Sequence, residues 1–257
     1  MSVDQRRALA LVWHDREAAG LYRYRAPYPP AVFEAIRRLV VSPPIILDAG
    51  CGTGALTRHL AGFASRIDAI DPSEAMIAEG KRLPGGDDRR IRWIVGTAEA
   101  APLDPPYGLI TGGKSLHWMD HGVVMPRFAD VLVPGGRLVV VDDDVAYPPL
   151  WKKDLIAIIE RYSPVNPSAF KDLFGELQRR GLFERHGFLK TTVVPFEQAV
   201  EDFIQALQST SSLSRVTLGE RTDAFAADVR GLFARLGITH LSLPVAAALV
   251  WGRPLRP

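Results

Sequence analysis

The stretch Ile45–Leu60 constrains the fold of this chain more than any other part of its 257 residues. It begins with an apolar run that ends in Asp48, and three glycines follow at alternate positions: Gly50, Gly52 and Gly54. A helical pattern of apolar residues starts directly after the last glycine. A buried strand, a tight turn and a helix start, in this order, open a βαβ unit. The stretch therefore predicts an α/β fold.

The glycines also predict a ligand, because glycine permits positive φ angles and lets a ligand lie against bare backbone. The free N–H groups of the first helical turn then face that ligand. The spacing Gly50-x-Gly52-x-x-Ala55 satisfies the dinucleotide fingerprint, with Asp71 about 20 residues further on as the acid for the ribose. The glycines alone therefore leave the ligand class open.

Asp48 favours a ligand without phosphate. A carboxylate two residues before the first glycine would repel a pyrophosphate, which binds at the positive end of a helix. The same carboxylate suits a ligand with an ammonium group. S-adenosylmethionine (SAM) has an α-amine, a sulfonium and a ribose but no phosphate, so Asp48 argues for SAM and against NAD.

The pattern Asp48-x-Gly50-x-Gly52-x-Gly54 resembles motif I of the class I SAM-dependent methyltransferases in full. The chain is most similar to the small-molecule branch often called type 11, which includes trans-aconitate and ubiquinone-pathway methyltransferases. The resemblance covers about residues 20–145 well and the remainder loosely. It implies a Rossmann-like, seven-stranded, mostly parallel sheet with an antiparallel last strand, helices on both faces and a helical lid.

The resemblance and the chain length together imply one domain over residues 1–257, with an N-terminal lid segment 1–42 and helical insertions within 147–241. Residues 147–187 have a helical pattern that is interrupted at Pro164–Pro167. The apolar runs predict seven strands: 45–49, 66–70, 91–95, 109–111, 137–141, 191–194 and 243–250.

The resemblance also implies a set of cofactor contacts. Asp71 matches the motif II acid and is expected to accept hydrogen bonds from both ribose hydroxyls. Ser73 is expected to cap the next helix, and Met76 either lies on the adenine face or packs within that helix. Glu99 is expected to bind the adenine amino group. The full set of expected cofactor residues is Asp48, Gly50, Cys51, Gly52, Asp71, Pro72, Ser73, Met76, Thr97, Ala98, Glu99 and Ser115.

The catalytic candidate is His117, which leaves the fourth strand within a Ser-Leu-His-Trp segment that resembles the family's Ala-Leu-His-Trp motif. A histidine at this edge of the sheet can accept a proton from the methyl acceptor; alternatively it forms a pocket wall, as Trp118 does. Tyr22 and Tyr28 lie in a proline-rich lead-in that resembles a family segment folded over the cofactor. They are expected as substrate and lid contacts, or else as part of an arm packed on the sheet.

The activity that the resemblance implies is methyl transfer from SAM to a small-molecule acceptor, by in-line displacement at the sulfonium methyl. S-adenosylhomocysteine (SAH) is the product. Two alternatives stay open. One is a SAM-binding relative without methyl transfer, either with other chemistry or as a non-catalytic binding protein. The other is an NAD-dependent oxidoreductase.

Composition bounds the remaining possibilities. A net charge of +2 gives no argument for nucleic-acid or membrane binding, so neither partner is expected. Cys51 is the sole cysteine, which excludes an internal disulfide. The N-terminus lacks an apolar signal core, and we expect a cytoplasmic protein. Asp142–Asp144 lack a histidine partner by spacing, so no metal is expected. The oligomeric state cannot be derived from these patterns.

Overall fold

The computed structural model describes residues 11–163 and 173–256. Contacts divide the chain into two compact units. The sheet unit comprises Tyr28–Asp144, Phe170–Thr192 and Ala246–Pro257. The helical unit comprises Met1–Pro27, Val145–Ala169 and Val193–Val245. The glycine stretch Ile45–Leu60 therefore lies wholly in the sheet unit.

A mostly parallel sheet with a reversal of strand order at its centre forms the sheet unit. Its strands run in the order β3-β2-β1-β4-β5-β8-β6. The pairs β1–β2, β2–β3, β1–β4 and β4–β5 are parallel, whereas β6 and β8 are antiparallel. The Rossmann-like architecture is thus confirmed, and the reversal between β1 and β4 is where such sheets bind ligands. The strands are β1 (Ile45–Ala49), β2 (Arg66–Asp71), β3 (Ile91–Val95), β4 (Tyr107–Gly113), β5 (Leu132–Val145), β6 (Phe183–Lys190), β7 (Val194–Ala199) and β8 (His240–Pro254).

Both faces of the central strands are buried, because alternate side chains enter different apolar clusters. Leu47 and Ile110 belong to one cluster, and Ile46 and Leu109 belong to another. All four are fully buried. Continuous apolar runs rather than alternating ones are typical of parallel strands covered on both faces, which is why these strands were readable from the sequence.

Helices follow the strands, as the sequence predicted. Ser73 caps its helix as expected, since its hydroxyl accepts a hydrogen bond of 3.0 Å from the Met76 N–H. The helices of the sheet unit are α2 (Pro30–Leu39), α3 (Thr57–Leu60), α4 (Glu74–Arg82), α5 (His121–Val131) and α7 (Leu173–Arg179). Those of the helical unit are α1 (Arg16–Gly20), α6 (Pro149–Tyr162), α8 (Val200–Gln208), α9 (Arg215–Leu218) and α10 (Thr222–Arg235).

An aromatic cluster forms the core of the helical unit. The Trp151 ring centroid lies 6.0 Å from that of Phe203 and 5.2 Å from that of Phe233, with edge-on geometry in both pairs. These three residues bring α6, α8 and α10 together. In the same unit β7 pairs antiparallel with β8 over His240–Val245.

The strand prediction was wrong in the C-terminal third. Residues 183–187, the end of the stretch expected to be helical, belong to β6 instead, and the strand expected at 191–194 is instead β7 at Val194–Ala199. The described residues therefore hold eight strands rather than seven. The β6 sequence misleads because only Phe183 in it is buried, so it lacks an apolar pattern. The expected break at Pro164–Pro167 lies outside the described residues.

None of the helices within the described residues is long and apolar enough to cross a membrane.

Candidate active site

A turn of three left-handed glycines connects β1 to α3. The φ angles are 69° at Gly50, 55° at Gly52 and 76° at Gly54, values that L side chains rarely adopt. The Gly50 N–H donates a hydrogen bond of 2.8 Å to the Ile70 carbonyl at the end of β2. The turn is thereby fixed to the neighbouring strand at the carboxyl edge of the sheet.

The three glycines meet different surroundings. A Cβ atom on Gly50 would lie 2.4 Å from the Ser115 Cβ, and one on Gly54 would lie 2.5 Å from a ring carbon of Trp93. A Cβ on Gly52 would meet nothing within 4 Å. Gly50 and Gly54 are thus required by protein packing, whereas Gly52 borders open space that a ligand can use.

Asp48 lies beneath this turn and is 1% exposed. One carboxylate oxygen accepts a hydrogen bond of 2.5 Å from the Thr57 hydroxyl, and the other accepts one of 2.8 Å from the Thr111 hydroxyl. Burial raises the pKa of Asp48 to about 6, because desolvation outweighs the stabilising hydrogen bonds. The residue expected to face a ligand ammonium is therefore held by two hydroxyls.

Asp71 connects the end of β2 to the glycine turn. Its carboxylate accepts hydrogen bonds of 2.8 Å from the N–H of Gly52 and 2.8 Å from the N–H of Ser73. Of the residues expected around the adenine, Pro72 is exposed and Met76 is buried in α4. The carboxylate of Asp71 therefore links the glycine turn to the residues that follow β2.

The residues after β3 differ in accessibility. Thr97 is exposed, Ala98 is buried and Glu99 is half-buried. One Glu99 carboxylate oxygen accepts a hydrogen bond of 2.8 Å from the Asp120 N–H, and the Glu99 carbonyl accepts one of 3.1 Å from Arg127. The expected adenine partner is therefore attached to the start of α5, an arrangement that the sequence did not indicate.

Ser115 fastens the end of β4 to β1. Its buried hydroxyl donates a hydrogen bond of 2.6 Å to the Ala49 carbonyl. His117 and Trp118 follow in a short 3₁₀ helix, half-buried, with ring centroids 5.0 Å apart. The two rings are therefore in mutual contact beyond the carboxyl end of β4, where the sequence placed them.

The residue before Ser115 has an unusual backbone. Lys114 has a φ angle of 52°, the left-handed region, which costs a non-glycine residue about 1–2 kcal/mol. Its ammonium pairs with the carboxylate of Asp143, and Asp144 pairs with Lys190 at 2.6 Å. The acidic run after β5 is thus partly neutralised by lysines, and the described residues contain no group of side chains that could hold a metal ion.

The two expected lid tyrosines fall in different units. Tyr22 belongs to the helical unit, where its ring makes an edge contact of 5.7 Å with Trp13 and lies 3.9 Å from the Arg25 guanidinium. Tyr28 belongs to the sheet unit and lines a cleft beside the glycine turn. The cleft residues are Tyr28, Asp48, Gly50, Cys51, Ala55, Leu56 and Gly113.

Cys51 contributes a buried thiol to this cleft. Burial and the neighbouring carboxylates of Asp71 and Asp48 raise the pKa of the Cys51 thiol. The neutral thiol is a poor nucleophile.

The structure therefore brings the ends of β1, β2 and β4 together through specific contacts. Gly52 bonds to Asp71, and Gly50 packs against Ser115. Sequence reasoning missed Thr57 and Thr111, because neither belongs to a motif. The arrangement combines a close backbone approach with the buried carboxyl groups of Asp48 and Asp71, which fits a cationic nucleoside without phosphate.

Comparisons with known proteins agree with this geometry. Residues 46–136 match a family described as a methyltransferase domain. An uncharacterized methyltransferase of Mycobacterium tuberculosis is 33% identical over 147 residues, which are 56% of this chain and 58% of that protein. The chain thus spans less than two thirds of the length of that relative.

A longer match comes from Schizosaccharomyces pombe. An uncharacterized methyltransferase-like protein is 30% identical over 220 residues, covering 80% of this chain and 78% of the relative. A trans-aconitate 2-methyltransferase of Pseudomonas aeruginosa is 32% identical over 113 residues, 43% of this chain and 38% of its own. The chain belongs to the class I SAM-dependent methyltransferases, a family whose cofactor is SAM.

Solved structures support the fold. A protein of Anaeromyxobacter dehalogenans described as a type II methyltransferase superposes with a TM-score of 0.61 at 23% identity. The match covers 89% of this chain and 97% of the other. This likeness concerns the architecture of the sheet and its helices.

Proposed function

We propose that this protein transfers the methyl group of SAM to a small-molecule acceptor. The observation that carries the proposal is the open backbone at Gly52, whose N–H is fixed by Asp71 at the junction of β1, β2 and β4. This position lies at the strand reversal, where open α/β sheets bind nucleosides. Family membership supplies the reaction class.

Asp71 is the proposed ribose acid. Its two oxygens accept hydrogen bonds from the backbone N–H groups of Gly52 and Ser73, which orient the carboxylate beside the glycine turn at the end of β2. We assign the adenine to the edge formed by the residues after β2 and β3: Pro72, Ser73, Met76, Thr97, Ala98 and Glu99. The amino-acid part of SAM would then lie along the glycine turn near Asp48, Gly50, Cys51, Gly52 and Ser115.

The chemistry requires little from the protein beyond positioning. SAM supplies an activated methyl group on a sulfonium. The cleft beside the turn, with Tyr28 at its rim, would orient the acceptor and exclude water. His117 is the proposed proton acceptor for an acceptor O–H or N–H, with Trp118 as a neighbouring wall. The relationship to a trans-aconitate methyltransferase supports a small organic acceptor.

The domain organisation is part of the same proposal. We assign residues 1–257 to one methyltransferase domain in which the N-terminal segment 1–42 and the helical insertions within 147–241 provide a lid and acceptor specificity. The Tyr22 side chain would contribute to that lid. The cytoplasmic location and the lack of a nucleic-acid partner stay predictions.

Two measurements test the function. Isothermal titration calorimetry with SAM, SAH and NAD should show binding of the first two and none of NAD; binding of NAD alone would instead indicate a redox enzyme. Transfer of a labelled methyl from SAM to a panel of small acids, phenols and amines should then identify the acceptor class. Binding of SAM without transfer to any acceptor would favour the alternative of a SAM-binding relative.

Matched variants locate the site within this test. Asp71→Asn should weaken SAH binding at least about tenfold, because a carboxylate acceptor for charge-assisted bonds is lost. His117→Asn should leave SAH binding near the wild-type value and lower the transfer rate about 10²–10⁴-fold if His117 is the base. Unchanged affinity in Asp71→Asn would place the ribose elsewhere.

A further inference from the structure

The contacts of Asp48 go beyond what cofactor binding by a motif I acid requires. Thr111 is the direct register partner of Asp48 across the β1–β4 pair, and Thr57 is the first residue of α3. Both threonines are fully buried. Their hydroxyls approach opposite oxygens of the carboxylate, at 2.5 Å from Thr57 and 2.8 Å from Thr111.

Two hydroxyl donors on a buried acid have a defined electrostatic effect. Hydrogen bonds donated to a carboxylate stabilise its ionised form, whereas burial favours the neutral acid. At Asp48 burial is the larger effect, and the hydrogen bonds from Thr57 and Thr111 oppose it. The ionisation of Asp48 near neutral pH therefore depends on both threonines.

Other groups around Asp48 act in the opposite direction to the threonines or stay neutral. The carboxylate of Asp71, at the end of β2, raises the pKa of Asp48 further. The Cys51 thiol in the turn is kept neutral by a raised pKa. Tyr28 lines the same cleft. The hydroxyls of Thr57 and Thr111, together with the backbone N–H of Thr57, are thus the groups that favour the anion.

We propose that Thr57 and Thr111 are positioning residues that hold Asp48 as an anion beneath the glycine turn, so that acidification weakens binding of the positively charged cofactor. This inference rests on the proposed SAM site. SAM has a net positive charge because its sulfonium and ammonium outweigh one carboxylate. SAH lacks the sulfonium, so the loss of negative charge at Asp48 affects SAM more than SAH.

The test is the pH dependence of SAM and SAH affinity, measured by calorimetry on the full chain from pH 5 to pH 8 at constant ionic strength. For the wild type, SAM affinity should fall about tenfold or more through a midpoint near pH 6, and SAH affinity should fall less. Thr111→Val and Thr57→Val should each raise the midpoint by about one pH unit, because each removes one donor to the anion.

Conservative variants separate this role from mere packing. Thr111→Ser and Thr57→Ser keep the hydroxyl and should follow the wild-type pH profile. Thr191→Val is the matched control, since its buried hydroxyl accepts a 2.9 Å bond from the Ala247 N–H in the same unit. All of these variants keep the same histidines, so the shift between profiles is diagnostic.

Each outcome is decisive. Valine variants that bind SAM with the wild-type midpoint would overturn the inference while leaving the proposed function intact. A wild type that binds neither SAM nor SAH at any pH would overturn the proposed function itself. If the valine variants do not fold, carboxyl ¹³C NMR of wild type and Asp48→Asn decides instead. The resonance missing from the variant should titrate near pH 6, and titration near pH 4 would refute the inference.

Discussion

Replacing Gly50 with alanine tests how closely the glycine turn is packed. The backbone there is left-handed, with a φ angle of 69°, which costs an alanine about 1–2 kcal/mol. The added methyl would lie 2.4 Å from the Ser115 Cβ, so the segment after β4 must shift, at a further cost of about 1–3 kcal/mol. We expect Gly50→Ala to lower the free energy of unfolding by about 2–5 kcal/mol.

Gly52→Ala is the matched control for backbone strain. Its φ angle of 55° carries the same penalty of about 1–2 kcal/mol. Its methyl would meet nothing within 4 Å, so no packing cost is added. The methyl instead enters the space assigned to the cofactor, and SAH affinity should fall at least about tenfold.

Urea unfolding followed by circular dichroism, together with calorimetric SAH titration, measures both effects. Gly50→Ala should show the larger loss of stability, and Gly52→Ala should show a large loss of binding for a small loss of stability. Equal destabilisation of the two variants would refute the packing argument. Wild-type SAH affinity in Gly52→Ala would refute the assignment of the open space to the cofactor.

Three further predictions concern stability. Asp48 has a pKa of about 6 in the folded protein against 3.8 as a free side chain, so the folded state binds the extra proton between those values and the unfolding free energy falls as pH rises through them. As pH rises across that window, the unfolding free energy of Asp48→Asn, measured by urea titration, should increase by about 3 kcal/mol relative to that of the wild type. If the two proteins instead show parallel curves of unfolding free energy against pH, Asp48 has an ordinary pKa. Tyr107→Phe removes the hydroxyl that donates a 2.5 Å hydrogen bond to buried Asp68. It should lower the unfolding free energy in urea by about 1–3 kcal/mol without changing SAH affinity. Weaker SAH binding would contradict the location of the site at the other end of β4. Arg25→Lys loses the paired hydrogen bonds of 2.7 and 2.8 Å to Ser209. It should lower the unfolding free energy by about 1–2 kcal/mol and speed trypsin cleavage of the helical unit. A wild-type digestion rate would show that this pair of bonds does not hold the unit together.

The parts of the site that could be predicted from the sequence are local. The glycine turn and the Ser73 cap depend on residues within a few positions of one another, so their spacing reveals them. Asp71 was identified because it ends an apolar strand at a typical distance from the glycines. The central strands were equally clear because both of their faces are buried.

Long-range contacts could not be predicted. Thr111 is 63 residues from Asp48 and Ser115 is 66 residues from Ala49, so no spacing rule relates them. The need for glycine at individual positions could not be predicted either, because at Gly54 it arises from close packing against Trp93 of β3. Strand β6 was missed because it is mostly exposed, so its apolar residues do not follow the pattern of a buried strand face.

The segments that form each unit are separated in the sequence, so they are synthesised at different times. Tyr28–Asp144, with β1 to β4 and most of β5, leaves the ribosome as one continuous piece. The helical unit is assembled from three separate segments, and Arg25 finds its partner Ser209 only after 184 residues. Residues 11–27 therefore complete their contacts within the helical unit only after Val193–Val245 has been synthesised. The sheet unit is in turn completed only by Ala246–Pro257, so during translation the segment that carries the glycine turn is present well before either unit is complete.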